Sequence, residues 1–233
     1  MKLCIIGNSH VGALRTAWTS GLSDDFPGIT ITCFAQRGQG IAEMVVAEGR
    51  LLPANPYMKR TVEFTSGGLS EVVVAEYDAF LLYGLHEHGQ ETGDTWYSAA
   101  VRAAALKDKV TGQGSHALLG KLRGLTDKPV WVAHDPLPAL APSGLVAADY
   151  DAELAEMQRL YYAPLQARLV PQPAETMVAG RATKLAFSKD SQPLAVGDDR
   201  DGRHHGADEI QHMNTAYGAI WLRAFLPGLA AQV

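Results

Sequence analysis

The chain opens MKLCIIGNSHVGALRTAW: a short apolar run ends in Gly7-Asn8-Ser9-His10, and a helix-like stretch follows at once. At the far end, HMNTAYG sets His212 just before a closing helix. A serine hydroxyl is a weak nucleophile that needs a neighbouring base, and histidine is the usual one. The histidine in turn needs a carboxylate to fix its tautomer and steady its charge. The oxyanion that develops in acyl transfer needs N–H donors, which glycine turns and helix N-termini supply. Taken alone, Ser9 has a second reading as the cap of the following helix, since serine is a favoured N-cap. His10 occupies the helix start and is assigned no catalytic role.

Which groups meet depends on the elements that carry them. Residues 2–6, KLCII, predict a short buried strand. Residues 10–20 place Ala13, Leu14, Ala17 and Trp18 on one face and predict a helix closed by Gly21. GITITCFAQ is rich in β-branched residues and predicts a second strand, so the opening is β-α-β and the sheet parallel. DAFLLYG predicts a third strand, residues 94–107 an alanine-rich helix, and Ser115–Leu125 another helix. KPVWVAHDPLP predicts a fourth strand, bounded by prolines, and residues 149–169 a long amphipathic helix. ATKLAFS is a fifth strand or a loop segment. Residues 214–226 close the chain as a helix with Tyr217, Ile220, Trp221 and Phe225 along one side.

Residues 41–76 are mixed. IAEMVVAEGRLLP has a helical start, while RTVEFTSGG and SEVVVAEYD have strand character about the turn signal Gly67-Gly68. A hairpin or lid insertion is expected there. VPQPAETMVAG, with two prolines, predicts an extended segment over the surface. No repeat or linker interrupts the alternation, so residues 1–233 form one α/β domain, a three-layer α/β/α sandwich on a parallel sheet.

Ligands of an open parallel sheet bind beyond the carboxyl ends of its strands. The first strand is followed by Gly7, Asn8, Ser9 and His10, and the second by Arg37, Gly38, Gln39 and Gly40. The third is followed by Gly84, Leu85, His86, Glu87 and His88, and the fourth by His134 and Asp135. Glu209, His212 and Asn214 precede the closing helix. One sheet edge thus gathers a serine, glycine amides, histidines and carboxylates.

The order of these parts carries a resemblance. IIGNSHVGAL resembles the first block of the SGNH (GDSL-like) hydrolase superfamily, and HMNTAYG resembles its last. The resemblance implies a flavodoxin-like sheet and ester hydrolysis or acyl transfer through an acyl-enzyme. It makes Ser9 the nucleophile, with its own amide an oxyanion donor, and His212 the base. Glu209 holds the family's acid position three residues before His212, with Asp208 as a rival. Gly38 is the second oxyanion donor, with Gly40 as a rival. The third block usually reads Gly-x-Asn; here it reads Gly84-Leu85-His86, and His86 is the third donor through a ring N–H. Family substrates include acetylated sugars, short esters, thioesters and lipids. An O-acetylated carbohydrate is favoured here because no long apolar stretch advertises a lipid channel. A non-catalytic binding protein that kept the fold is a second reading, motivated by the histidine in place of asparagine.

Composition narrows the partners. Hydrophobic residues make up 47% and charged residues 19%, a globular balance, and the net charge is -5. Scattered, outnumbered lysine and arginine argue against a nucleic-acid partner. No apolar run reaches transmembrane length, the N-terminus has no signal-peptide core, and a cytoplasmic protein is expected. Cys4 and Cys33 sit in strand-like runs as small buried hydrophobes. DDRDGRHHGADEIQH offers Asp201, His204, His205 and Asp208 as metal-ligand types, with His86, His88 and His134 as further candidates. A metal-dependent hydrolase built on residues 201–212 is therefore a third reading. Without a helix-spaced pair such as H-E-x-x-H, the tract is expected to deliver the base and to hold neither metal nor cofactor. Tyr57, Trp96 and Tyr97 are candidates to line a small-molecule or carbohydrate ester cleft, although aromatics are more often core.

Overall fold

In the computed structural model of the chain, residues 1–85, 98–143 and 149–230 are described. The opening apolar run forms β1 (Lys2–Gly7), and α1 (Val11–Thr19) and β2 (Thr30–Ala35) follow. An antiparallel insertion comes next: β3 (Val45–Ala47), β4 (Arg50–Leu52), α2 (Pro56–Ser66) and β5 (Val72–Val73), with β4 between the other two strands. The chain returns through β6 (Ala79–Tyr83), α3 (Ala99–Thr111), α4 (Gly114–Arg123), β7 (Val130–Ala133) and α5 (Tyr150–Met157). It ends with β8 (Ala167–Val170), the two-residue pair β9 (Met177–Val178) and β10 (Ala182–Thr183), and α6 (Thr215–Ala230).

Five strands make the central sheet in the order β2-β1-β6-β7-β8, and every neighbouring pair is parallel. Parallel sheets are covered on both faces, which is why the central strands β1, β6 and β7 are nearly continuous apolar runs, while the edge strands β2 and β8 carry polar residues. Cys4 and Ile6 join a core with Met58 and Val62 of α2, Leu118 and Leu122 of α4, and Leu154 of α5. Leu3 and Ile5 face the opposite core, with Leu14 of α1 and Tyr217, Trp221 and Phe225 of α6. The strand order reverses between β1 and β6, the switch point where ligands of such sheets bind. No helix among the described residues is long and apolar enough to cross a membrane.

Three expectations are corrected. The hairpin turns at Glu48-Gly49, both at positive φ as a two-residue hairpin requires, and not at Gly67-Gly68. The segment RTVEFTS lies in α2 instead of a strand. Asn55 caps that helix by accepting from the Met58 N–H, Pro56 opens it, and left-handed Gly67 (φ +80) closes it; these end signals outweigh the β-branched residues between them. The expected helix over 149–169 is also broken. It ends at Met157, passes through a π turn (Gln158–Tyr162) and a 3-10 turn holding Pro164, and becomes the fifth strand, β8. The Gln158 side chain ties this bend to the strand, donating to Ala167 O and accepting from the Leu169 N–H. ATKLAFS therefore contributes only β10 and a 3-10 turn. The proline-rich segment is anchored by buried Gln172, whose side chain binds Leu137 N–H, Thr176 and Thr183.

Candidate active site

Ser9 sits in the turn between β1 and α1. A Cβ on Gly7 would lie 2.0 Å from the Tyr83 carbonyl oxygen, so only glycine lets the end of β1 pass this close to β6. The turn runs into α1 through Val11 N–H to Asn8 O (3.2 Å) and Gly12 N–H to Ser9 O (3.0 Å). No side chain caps the helix by the usual bond, and Asn8 Oδ1 accepts the His10 N–H at 3.1 Å. The Ser9 hydroxyl is left for another partner. Its Oγ lies 2.9 Å from His212 Nε2.

Helix packing makes that meeting possible. Ser9 precedes α1 and His212 precedes α6, and these helices approach so closely that a Cβ on Gly218 would lie 2.1 Å from Ala13 O. Asn214 pins the start of α6: its Oδ1 accepts the Tyr217 N–H at 3.1 Å, and its Nδ2 donates to Ala186 O and Lys189 O. On the other side of the base, His212 Nδ1 is 3.3 Å from Glu209 Oε2. The carboxylate faces the ring edge, and Nδ1 makes no hydrogen bond among the described residues. Glu209 Oε1 accepts the N–H groups of Gln211 (2.5 Å) and His212 (3.0 Å). Burial pushes the Glu209 carboxyl up, but these N–H groups and the His212 ring outweigh it and hold the acid below its ordinary range. Asp208, the rival acid, is exposed and makes no hydrogen bond or ion pair with His212 among the described residues.

The floor of the turn contains a carboxylate that the sequence did not single out. Asp135, after β7, accepts from Asn8 Nδ2 at 3.0 Å and lies 3.7 Å from His10 Nε2. Gly84 (φ +72) makes room for this pair: its Cβ would lie 2.3 Å from Asn8 Oδ1 and 2.8 Å from Asp135 Oδ1. His10 is buried and stacks on His212, centroids 5.0 Å apart at 28°. Burial, reinforced by His212, lowers its pKa to about 3, so it stays uncharged. His205 also stacks on His212, at 4.5 Å and 20°. His10 reaches His212 from the other end of the chain, whereas His205 lies seven residues before it in the same loop tract.

Gly38 is exposed and left-handed (φ +80), in the turn that Gln36 N–H to Gly7 O sets beside the Ser9 turn. The N–H groups of Ser9 and Gly38 donate to no acceptor among the described residues. Gly40 starts a 3-10 turn and packs on the Gln36 side chain. His86, the expected third donor, lies outside the described residues, as do Glu87, His88, Trp96 and Tyr97. His134 is buried between Asp135 O and the Tyr150 hydroxyl, with a pKa lowered to about 4 by burial. It belongs to the packing of the sheet edge. Tyr57 is 38% exposed.

The metal-ligand types of the 201–212 tract separate. His204 is exposed, and Asp201 binds Arg37 together with the N–H groups of Val196, Gly197 and Asp198. His205, Glu209 and His212 do cluster, their donor atoms within 4.8 Å of one another. The His205 and His212 rings are stacked, with centroids 4.5 Å apart and planes 20° apart. A cavity of about 530 Å³ beside β8 and α6, lined by Trp131, Trp221 and Phe225 among others, includes none of these residues.

No protein-family model matches the chain, and no curated protein matches it at a significant level. The geometry sets a hydroxyl on an imidazole and the imidazole beside a carboxylate, with two N–H groups nearby that donate to no acceptor among the described residues.

Proposed function

We propose that the chain is a serine hydrolase that cleaves a carboxylic ester through an acyl-enzyme, on a fold of the SGNH (GDSL-like) type. The observation that carries this reading is the 2.9 Å contact of Ser9 Oγ with His212 Nε2, backed by Glu209 at 3.3 Å. With Glu209 facing its Nδ1, His212 accepts the Ser9 proton at Nε2. Ser9 Oγ attacks the carbonyl, and the oxyanion meets the N–H groups of Ser9 and Gly38, with His86 as the proposed third donor. His212 then protonates the leaving alcohol, and water repeats the cycle to release the acid. The substrate class is a small-molecule or carbohydrate ester, with an O-acetylated carbohydrate favoured.

A fluorophosphonate probe tests the nucleophile directly. Wild type is labelled, Ser9→Ala is not, and His212→Ala labels and turns over p-nitrophenyl acetate at least about 10³-fold more slowly. Turnover unchanged in both variants refutes the triad.

A further inference from the structure

His205 has no part in the relay just described, yet it touches two of its members. The loop that brings it is fastened from the other side of the site by Arg37. That guanidinium donates to Leu194 O (2.8 Å), Asp198 Oδ2 (2.6 Å) and Asp201 Oδ1 (2.8 Å). The His205 N–H then donates to Ser191 O at 2.9 Å. Thus held, His205 Nδ1 lies 3.5 Å from Glu209 Oε2, the same oxygen that faces His212 Nδ1. Glu209 Oε1 is already committed to two backbone N–H groups. One free oxygen therefore serves two stacked imidazoles. His205 Nε2 is buried and makes no hydrogen bond among the described residues, so the ring's contacts with His212 and Glu209 bear on its orientation.

We infer that His205 is a positioning residue of the base: by stacking on His212 and sharing its Glu209 oxygen, it sets the ring toward Ser9 and makes the two imidazoles take up one proton between them. The catalytic consequence rests on the esterase reading; the pairing itself does not. Two imidazolium rings this close repel, and a single carboxylate oxygen cannot neutralise both. Burial lowers the His205 pKa, and His212 and Arg37 lower it further against the pull of Glu209. At the other ring contact of His212, His10 stays neutral, with Asp135 and His134 nearby.

Two variants separate ring from charge. His205→Ala removes both, and should lower kcat about tenfold with KM within twofold, because the base loses a wall of its slot. His205→Phe keeps a stacking ring and leaves Glu209 to His212 alone. It should restore most of kcat and move the acid limb of the pH–rate profile up by about half a pH unit or more. Wild-type kinetics in His205→Ala, or an unmoved acid limb in His205→Phe, overturns the inference. A second arm needs no activity. In a Ser9→Ala background, NMR should show the His205 ring midpoint rise by about half a unit when His212 is replaced by phenylalanine, since the coupling is reciprocal. No movement there also overturns the pairing. Wild type that escapes the fluorophosphonate probe would instead count against the esterase reading, and the NMR arm would still decide on His205.

Discussion

Gly84→Ala probes the join between fold and chemistry. Gly84 is held after β6 by its N–H to Ala133 O (3.0 Å) and has φ +72. An added Cβ would lie 2.3 Å from Asn8 Oδ1 and 2.8 Å from both Asn8 Cγ and Asp135 Oδ1, where ordinary contact begins at 3.4 Å. Something must move by roughly an ångström, and neither neighbour is a loose end. Asn8 is 3% exposed, bonds Asp135 through Nδ2 and receives the His10 N–H through Oδ1. Losing the hydrogen bond to a charged group costs about 1.5–3 kcal/mol. Holding alanine in the left-handed region adds about 1–2 kcal/mol. Together these come to about 3–5 kcal/mol, or about 10 °C in Tm for a chain of this size. Ser9 is the residue after Asn8, and a shift of about 1 Å at a reacting group costs about 10²-fold in rate. Thermal unfolding and the rate of fluorophosphonate labelling measure the two effects. Gly38→Ala is the control for stability: it is equally left-handed (φ +80), but its Cβ would meet nothing within 4 Å. It should show the backbone strain alone. A Gly84→Ala protein that melts with Gly38→Ala and labels within about threefold of wild type would falsify the crowding account.

Glu209→Gln should lower kcat by about 10³-fold or more, because an amide turned toward Nδ1 favours the wrong tautomer of His212. Asp208→Asn should stay within about twofold, and the reverse pattern would make Asp208 the acid. Acid should destabilise the fold through His10 and His134, whose pKa values are lowered to about 3 and about 4. Unfolding returns them to about 6.5. Between these values the unfolded chain binds more protons, so their stabilisation is complete above about pH 6.5 and declines as pH falls, by up to about 1 kcal/mol per unit for each ring. Urea midpoints at pH 7 and pH 5 measure this, and equal midpoints refute it. Gly218→Ala should cost about 1–3 kcal/mol by wedging α6 off Ala13, and should slow labelling because the same contact aligns His212 with Ser9. Unchanged labelling with a lowered Tm would show that the base is positioned independently of that contact.

How much of this was legible in the sequence varies by element. β1, β6 and β7 are short apolar runs buried on both faces, and such runs announce themselves; β2, at the sheet edge, is marked by its β-branched residues. β8 did not, because Ala167–Val170 follows a helical pattern without a break in hydrophobicity. The break comes from Pro164 and from Gln158 binding across the bend, a contact between side chain and strand that periodicity does not record. α2 was hidden for the opposite reason: its β-branched interior resembles a strand, while its ends carry the helix signals.

At the site, the sequence by itself determined which chemical groups stand at strand and helix ends, because local apolar patterns set where those elements stop. That placed Ser9, Gly38, His86, Glu209 and His212 at one sheet edge, and the resemblance implied their roles, with Asp208 as the rival acid. The choice between Glu209 and Asp208 needed coordinates, since it turns on which carboxylate reaches the His212 ring. The stacking of His10 and His205 on His212, and the placing of Asp135 under the turn, needed them too. The contacts of His10 and Asp135 join residues far apart in sequence, and that of His205 crosses an irregular loop, so no periodicity encodes them. They arise where α1 and α6 close on one another at Gly218 and where Arg37 holds the loop before His205, so only the folded chain decides them.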